Sequence, residues 1–279
     1  MPTPRVAAIH DMSGFGRCSL TVAIPVLSAM GVQCCPLPTA YLSTHTGGFT
    51  GYTFLDMTDE LPKTAAHWAE LGIHFDAVYT GFMGSEAQMD LVANFVRTFR
   101  RDRSTIFICD PVMGDHGRMY RGLAPEIVPA MYTLCSRASL ILPNTTEAAL
   151  LLGDPMPGVT GEAELHTAQA QAQRLTRICP RVLITGVAAG RGIACVGADR
   201  ATGESLVRTP MVPKSFHGTG DIFGAVLVGR LLQGNVLPAA AQAAAVFVAD
   251  CLKATPDEAD ERLGVWLESV LPQLMQNPE

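Results

Sequence analysis

The stretch Phe216-His217-Gly218-Thr219-Gly220-Asp221-Ile222-Phe223-Gly224-Ala225 places two glycines and one acid where an apolar helix begins. Apolar residues recur at three- and four-residue spacing from Ile222 to Leu232, which predicts that helix. Its N-terminus favours an anion, because unpaired N–H groups and the helix dipole act together there. Asp221 then has two interpretations: an acid that stabilises the first helical turn, or a base that accepts a hydroxyl proton beside a phosphoryl group.

The chain of 279 residues alternates short apolar runs with longer helical patterns. This alternation predicts an α/β fold, a three-layer α/β/α sandwich with a central, mostly parallel sheet. No linker and no internal repeat divides the sequence, so we expect a single domain over residues 1–279. The predicted strands cover residues 6–9, 32–37, 77–79, 105–109, 140–142, 182–185, 193–196 and 205–207. The predicted helices cover residues 19–30, 61–71, 86–101, 126–135, 146–152, 162–177, 221–232, 238–251 and 257–275.

Composition argues against several classes of protein. Hydrophobic residues make up 48% of the chain and charged residues 16%, which allows a large core. The net charge is −6 and no Lys/Arg cluster exceeds a pair such as Arg100-Arg101, so we expect no nucleic-acid partner. No apolar run reaches the roughly 18 residues of a membrane span. The N-terminus lacks the apolar core of a signal peptide, so we expect a cytoplasmic protein. The eight cysteines form no CxxC pair and are predicted to be reduced thiols.

Small and polar residues follow five of the predicted strands, in segments that begin at His10-Asp11, Thr80-Gly81, Asp110-Pro111, Pro143-Asn144 and Gly186. In open parallel sheets ligands bind outside the carboxyl ends of the strands, so these segments predict a binding site at one edge. The alternative for each segment is an ordinary turn, which also favours Gly, Pro, Asn and Asp. The glycines read GxGxxxG rather than GxGxxG and no P-loop motif occurs, which disfavours both of those nucleotide sites.

The segment Gly218-Thr219-Gly220-Asp221, with its following helix, resembles the signature of the ribokinase-like superfamily. Three further segments resemble the pyridoxal kinase branch: Ser43-Thr44-His45-Thr46-Gly47-Gly48, Cys109-Asp110-Pro111-Val112-Met113-Gly114-Asp115 and Pro143-Asn144-Thr145-Thr146-Glu147. The resemblance implies phosphorylation of the 5′-hydroxymethyl group of pyridoxal, pyridoxamine or pyridoxine by a homodimer that uses ATP and Mg²⁺. It leaves open whether a monovalent cation such as K⁺ assists.

Within this resemblance, Asp221 is the catalytic base, and the amides of Gly218, Thr219 and Gly220 hold the transferring phosphoryl group. Such donors stabilise charge as it develops, which is usually the largest catalytic effect. Asp110 and Glu147 are the residues implied for Mg²⁺, which prefers oxygen ligands and retained waters. The ATP-binding residues implied are Asp110, Asn144, Glu147, Thr185, Thr209, Pro210, Met211 and Val212, with the three glycine-loop amides.

The residues implied for the vitamin are Asp11, His45, Thr46, Gly47, Phe82, Tyr120 and Asp221, with residues 113–121 as a flap that carries Tyr120. Many relatives have Ser where this chain has Asp11, and Ser13 is offset by two positions. Asp11 either faces the pyridine nitrogen, where a carboxylate favours a protonated ring, or caps the turn at residues 14–16. His45 either contacts the ring substituents or serves as a turn residue beside Gly47 and Gly48.

Two other functions stay open. Hydroxymethylpyrimidine (phosphate) kinases of thiamine synthesis share the anion site, the aspartate base and a small aromatic substrate with a hydroxymethyl group. A non-catalytic protein that binds B6 vitamers or nucleotides could use the same scaffold, since fold does not imply function. A binding protein needs no base, so Asp221 favours catalysis over binding alone.

Overall fold

A computed structural model of the protein describes residues 3–100, 104–156 and 162–275. The chain divides into two compact units. The first unit combines Met1–Tyr79 with Val212–Glu279, and the second comprises Thr80–Met211.

Strands and helices alternate along the chain as the sequence predicts. The strands are β1 Arg5–Ser13, β2 Gln33–Leu42, β3 Phe54–Asp56, β4 Ala77–Thr80, β5 Ile106–Cys109, β6 Gly114–Asp115, β7 Arg118–Met119, β8 Leu140–Ile141, β9 Arg181–Ala189, β10 Gly192–Asp199 and β11 Gly203–Pro210. The helices are α1 Leu20–Ala29, α2 Glu60–Glu70, α3 Glu86–Phe99, α4 Ile127–Cys135, α5 Thr145–Leu152, α6 Glu162–Leu175, α7 Thr219–Leu232 and α8 Leu237–Ala254.

In the first unit the strand order is β3-β2-β1-β4. Strands β1 and β2 are parallel, and β3 runs antiparallel to β2. Pro36 and Pro38 lie in β2 opposite Ala8 and His10 of β1, before the segment at which β3 joins. Proline has no N–H to donate to a neighbouring strand. The part of β2 that contains Pro36 and Pro38 can accommodate it because that part pairs with β1 on one side only.

In the second unit the strand order is β5-β8-β9-β10-β11. Strands β5, β8 and β9 are parallel neighbours, whereas β10 and β11 are antiparallel. The carboxyl ends of β5, β8 and β9 therefore point the same way. The expected α/β class, with a mostly parallel central sheet and flanking helices, is confirmed, and the sheet is mixed rather than purely parallel.

Helix α7 packs on α1 and α8 in the first unit, and residues 222–229 are all buried. A helix that is apolar on every side belongs in a core, which agrees with the run of Ile, Phe, Val and Leu in its sequence. Two glycines allow close packing: a Cβ at Gly224 would lie 2.1 Å from the Tyr79 hydroxyl, and one at Gly229 would lie 2.4 Å from Met30 Sδ.

Helix α8 is long and apolar enough to cross a membrane when length and composition alone are considered. Core helices of globular proteins meet the same criterion, and α8 packs along α7. This feature is therefore weak evidence for a membrane span.

The helix predicted over residues 257–275 is wrong. The chain forms only short 3-10 turns there, Glu261–Leu263 and Leu271–Met275. Gly264 has φ +76°, and a Cβ on it would lie 2.5 Å from the carbonyl oxygen of Arg17, so the chain leaves the helical path at this point. The helix predicted over residues 86–101 ends at Phe99, and Arg101 lies outside the described residues. Strands β3, β6 and β7 have two or three residues each, too few for a periodic pattern.

Candidate active site

Helix α7 begins at Thr219, two residues before the predicted start at residue 221. Gly218 is the N-cap residue, with φ +84° and ψ −2°, in the left-handed region. A Cβ at this position would lie 2.2 Å from the carbonyl oxygen of Arg17. Only glycine combines this backbone conformation with so close an approach.

The first turn of α7 offers free backbone donors. Among the described residues, no protein acceptor receives a hydrogen bond from the N–H groups of Thr219, Gly220 or Asp221. Gly220 is exposed, and a Cβ placed on it would have no atom within 4 Å. The helix therefore begins with amides that can hold an anion, at the positive end of the helix dipole.

Asp221 lies beside these amides, and most of its surface is buried. Burial raises the pKa of Asp221 to about 7, the negative charge of Asp11 adds to this shift, and the backbone N–H of Ser19 opposes it. A carboxyl group with this pKa can accept a proton near neutral pH. The arrangement suits a general base more closely than a simple first-turn acid.

Asp11 is the second acid of this region, and only 6% of its surface is exposed. The Ser19 hydroxyl donates to Asp11 Oδ1 at 2.6 Å, and the Ser13 hydroxyl donates to Oδ2 at 3.3 Å. Burial raises the pKa of Asp11, while both serine hydroxyls lower it. The pairing of β1 with β2 shifts register between His10 and Met12, where Thr39 and Ala40 of β2 lie opposite the single residue Asp11, so the extra residue of this irregularity belongs to β2.

His45 holds several loops of the first unit together. The Gly47 N–H donates to His45 Nδ1 at 3.1 Å, so Nδ1 is unprotonated and Nε2 carries the hydrogen. Nε2 lies 2.5 Å from the carbonyl oxygen of Arg262, to which it donates. The ring also lies 4.9 Å from the His217 ring and 5.1 Å from that of Phe49, centroid to centroid. Both nitrogens of His45 are thus engaged by the protein itself.

Three predicted residues of the second unit, Asn144, Glu147 and Thr185, lie together where β8 ends beside the middle of β9, because β9 continues to Ala189 instead of ending at residue 185 as predicted. Asn144 caps α5 and forms a parallel bridge with Thr185, whose N–H donates to the Pro143 carbonyl oxygen at 2.9 Å. Asn144 and Glu147 form a capping box: Asn144 Oδ1 accepts from the Glu147 N–H, and Glu147 Oε2 accepts from the Asn144 N–H, both at 2.9 Å. Asp110 directly follows β5 and is partly buried.

Glu147 is buried, with 3% of its surface exposed. Its Oε1 accepts from the Met113 N–H at 3.0 Å. Burial raises the pKa of Glu147 to about 8, and the backbone N–H groups of Asn144, Met113 and Gly114 act in the opposite direction. No group of three or more His, Cys, Asp or Glu in the described ranges could hold a metal ion by itself. Mg²⁺ needs no such cage, because it usually takes one or two carboxylates, several waters and phosphate oxygens.

Residues 113–121, predicted to form a flap, contain the β6–β7 hairpin. Its turn has positive φ at His116 and Gly117, 51° and 74°, as a two-residue type I′ turn requires. Asn144 Nδ2 donates to the Gly114 carbonyl oxygen at 2.8 Å, and the Gly117 N–H donates to Thr146 Oγ1 at 2.9 Å. The first turn of α5 therefore anchors the hairpin. Thr146 is not among the predicted site residues, although it lies within the segment 143–147 that resembles the kinase family.

Comparison with known proteins identifies the family. Residues 22–265 match the family described as phosphomethylpyrimidine kinase. A pyridoxine/pyridoxal/pyridoxamine kinase of Bordetella pertussis is 30% identical over 271 residues, which covers 90% of this chain and 89% of that protein. The chain belongs to the phosphomethylpyrimidine kinase family, in the pyridoxal kinase branch of the ribokinase-like superfamily.

Two solved structures share the fold over almost their whole length. A Bacteroides thetaiotaomicron protein assigned to the phosphomethylpyrimidine kinases, in a crystal form with pyridoxal, is 39% identical with a TM-score of 0.92. The match covers 100% of this chain and 98% of that one. The pyridoxal kinase of Lactobacillus plantarum is 32% identical with a TM-score of 0.88, and the match covers 98% of this chain and 97% of that one.

The other predicted site residues differ in how far they are exposed to solvent. Thr46 is exposed, Gly47 and Phe82 are partly exposed, and Tyr120 is 40% exposed. A Cβ on Gly47 would lie 2.4 Å from His217 Cε1. Thr209 and Pro210 end β11, Met211 is exposed and Val212 is partly buried. Sequence reasoning missed Ser19, because nothing in the pattern before α1 indicates its positive φ of 49°.

Proposed function

We propose that the protein transfers the γ-phosphoryl group of ATP to the 5′-hydroxymethyl group of pyridoxal, pyridoxamine or pyridoxine. The observation that carries this proposal is the start of α7, where free amides adjoin Asp221, whose pKa burial raises to about 7. The named activity of the Bordetella relative and the pyridoxal in the Bacteroides crystal support the choice of substrate.

In this mechanism the chain performs two tasks at the reacting group. Asp221 accepts the proton of the hydroxymethyl group as the hydroxymethyl oxygen attacks the γ-phosphorus. The amides of Gly218, Thr219 and Gly220 donate to the phosphoryl oxygens, on which negative charge is spread in the transition state. Because these donors are fixed at the helix start, they need no reorganisation during the transfer.

We assign the nucleotide and Mg²⁺ to the oxygen-bearing residues of the second unit. Asp110 and Glu147 would hold Mg²⁺, with Asn144 and Thr185 beside the ATP phosphates, and bound Mg²⁺ would offset phosphate charge. The donor chemistry fits, since carboxylate and amide oxygens suit a hard cation that keeps its waters. Glu147 already accepts two backbone N–H bonds, so an indirect role through water suits it. Thr209, Pro210, Met211 and Val212 are assigned to the adenine side.

We assign the vitamin to Asp11, His45, Thr46, Gly47, Phe82 and Tyr120. The hydrogen bonds of His45 favour a role for its ring edge and its packing over a polar contact with the vitamin. Tyr120, half-exposed on the flap, would cover the ring and exclude water. In this proposal Asp11 sets the preference among the three vitamers.

We further propose that the chain acts as one kinase domain and as a cytoplasmic homodimer. Support for self-association comes from the cross-strand pair Tyr41–Leu55 and the neighbouring Phe54, which are 46%, 59% and 51% exposed. Exposed apolar residues grouped on an edge strand favour association. Sedimentation of the purified protein tests this assignment.

Hydroxymethylpyrimidine phosphorylation is the second candidate, favoured by the description of the matched family. One experiment separates the candidates: phosphorylation assays with Mg-ATP against pyridoxal, pyridoxamine, pyridoxine and hydroxymethylpyrimidine at equal concentrations. We expect the highest kcat/KM with a B6 vitamer. A higher kcat/KM with the pyrimidine would support the second candidate, and binding of all four without turnover would overturn the kinase proposal.

A further inference from the structure

The loop that joins β2 to β3, residues 43–53, carries residues 45–47, which we assign to the vitamin. It contains three glycines, and two of them, Gly48 and Gly51, have positive φ, 79° and 73°. A glycine-rich segment between two strands has many accessible backbone conformations when nothing outside it fixes one. The loop therefore needs contacts with other parts of the chain to keep a single shape.

Arg262 supplies such contacts from near the C-terminal end of the sequence. Its carbonyl oxygen accepts from His45 Nε2 at 2.5 Å. A Cβ on Gly48 would lie 2.9 Å from Arg262 Cγ and 3.1 Å from its Cδ, so the stem of the arginine packs against that glycine. The guanidinium carbon lies 5.1 Å from the centre of the Phe49 ring, within range of a cation–π contact. One residue thus contacts the loop at three positions, through its main chain, its stem and its charge.

Arg262 is itself held in place by its neighbours. Its guanidinium donates to both carboxylate oxygens of Asp260, from Nη2 to Oδ2 at 2.6 Å and from Nε to Oδ1 at 3.0 Å. Its backbone N–H donates to the same Asp260 Oδ1 at 3.0 Å. The carbonyl oxygen of the next residue, Leu263, accepts from the Arg17 N–H at 3.0 Å. All these residues and the loop lie in the first unit, so the loop is held against a fixed point of that unit.

We propose that Arg262 is a positioning residue for the vitamin: it holds residues 45–49 in the conformation that binds the ring and thereby sets the affinity for B6 vitamers. This inference rests on the proposed function, because it deepens the role assigned to residues 45–47. A loop already held in its binding conformation loses less conformational freedom when the vitamin binds, so the affinity is higher. The assigned base and amides lie on α7, so Arg262 acts on binding rather than on the chemical step.

The chain offers a matched control for the ion pair of Arg262. The side chains of Arg262 and Asp260 are 53% and 38% exposed, and an exposed pair of this kind contributes little to stability by itself. Arg174 forms a similar two-bond pair with Asp154, at 2.8 and 2.9 Å, in the second unit. Comparing Arg262→Ala with Arg174→Ala therefore separates the hold on the loop from the loss of a surface ion pair.

The test combines calorimetry of pyridoxal binding, steady-state kinetics with Mg-ATP, and amide hydrogen exchange of residues 43–53 in the full-length protein. In Arg262→Ala we expect the Kd and KM for pyridoxal to rise about five- to tenfold, because the loop must be ordered on binding. We expect kcat and the KM for ATP to change less than about twofold, and exchange in the loop to become faster. Arg262→Lys keeps the stem and the charge and should stay within about twofold of wild type in every constant. Arg174→Ala should leave the pyridoxal affinity and the loop exchange unchanged.

Phe49→Leu is the second perturbation, since it removes the aromatic face below the guanidinium. Arg262→Ala should weaken pyridoxal binding less in the Phe49→Leu background than in wild type, because one of the contacts is already lost. An unchanged pyridoxal Kd in folded Arg262→Ala, with or without faster loop exchange, would overturn the inference, and so would an equal rise in Arg174→Ala. Absence of phosphorylation by the wild-type protein would instead overturn the proposed function, while calorimetry would still decide whether Arg262 sets the affinity for pyridoxal.

Discussion

Gly218→Ala is the substitution whose effect the structure defines most closely. Gly218 has φ +84°, and its Cβ position lies 2.2 Å from the Arg17 carbonyl oxygen and 3.2 Å from the carbonyl carbon. Alanine in the left-handed region costs about 1 kcal/mol. The overlap adds a larger cost, since the Arg17 carbonyl or the start of α7 must move by about 1 Å. We expect the free energy of unfolding to fall by about 2–4 kcal/mol.

The same shift should damage the anion site. The amides of Thr219 and Gly220 follow Gly218 directly, so a displacement of the helix start moves the donors that we assign to the phosphoryl group. A misplacement of about 1 Å can cost about a hundredfold in rate. We therefore expect kcat to fall by about that factor, in protein that is still folded at the assay temperature.

Gly220→Ala is the matched control for stability. Gly220 lies two residues later, inside α7, and a Cβ there meets no atom within 4 Å. Alanine has the higher helix propensity, so stability should stay the same or rise by up to about 1 kcal/mol. Urea unfolding of both variants, with steady-state kinetics of the folded protein, provides the measurement. A Gly218→Ala protein as stable and as active as wild type would refute the reasoning.

Two further predictions concern ionisation. Because burial raises the pKa of Asp221 to about 7, kcat/KM should fall about tenfold per pH unit below that value, and a profile flat down to pH 5 would contradict the assignment. Glu147 has a folded-state pKa of about 8, above its unfolded value of 4.5, so its contribution to stability is complete below pH 4.5 and is lost as the pH rises to about 8. Glu147→Gln should remove that decline, which amounts to about a few kcal/mol in the free energy of unfolding measured with urea at several pH values. The same variant should raise the Mg²⁺ concentration needed for activity. If the pH dependence of stability were the same in Glu147→Gln and wild type, the raised pKa assigned to Glu147 would be wrong.

Part of the site could be predicted from the sequence because it depends on local or topological rules. The start of α7 follows from a glycine pair before an apolar helical run. The meeting of Asn144 with Thr185 follows from the parallel pairing of β8 with β9, although β9 continues past Thr185 to Ala189. The Asn-x-x-Glu spacing is itself a capping-box pattern, so its local geometry could also be anticipated.

The rest depends on contacts between distant parts of the chain. Residues 257–275 have helical periodicity, but the close packing of Gly264 against Arg17 prevents a continuous helix there. His45 bonds to the carbonyl oxygen of Arg262, 217 residues away, which no local pattern indicates. The positive φ of Ser19, whose hydroxyl donates to Asp11 eight residues earlier, is likewise indicated by no local pattern. Tertiary context overrides local preference at these positions.

The central claim is that the Asp221 carboxylate takes the proton of the alcohol while the α7 amides hold the phosphoryl group. Its most direct test is the single-turnover rate of phosphoryl transfer from Mg-ATP to pyridoxal in Asp221→Asn, with the affinities for ATP and pyridoxal measured by calorimetry on the same protein. The account predicts a rate lower by about 10²–10⁴-fold with affinities close to those of wild type. A rate near that of wild type, with both substrates bound, would contradict it.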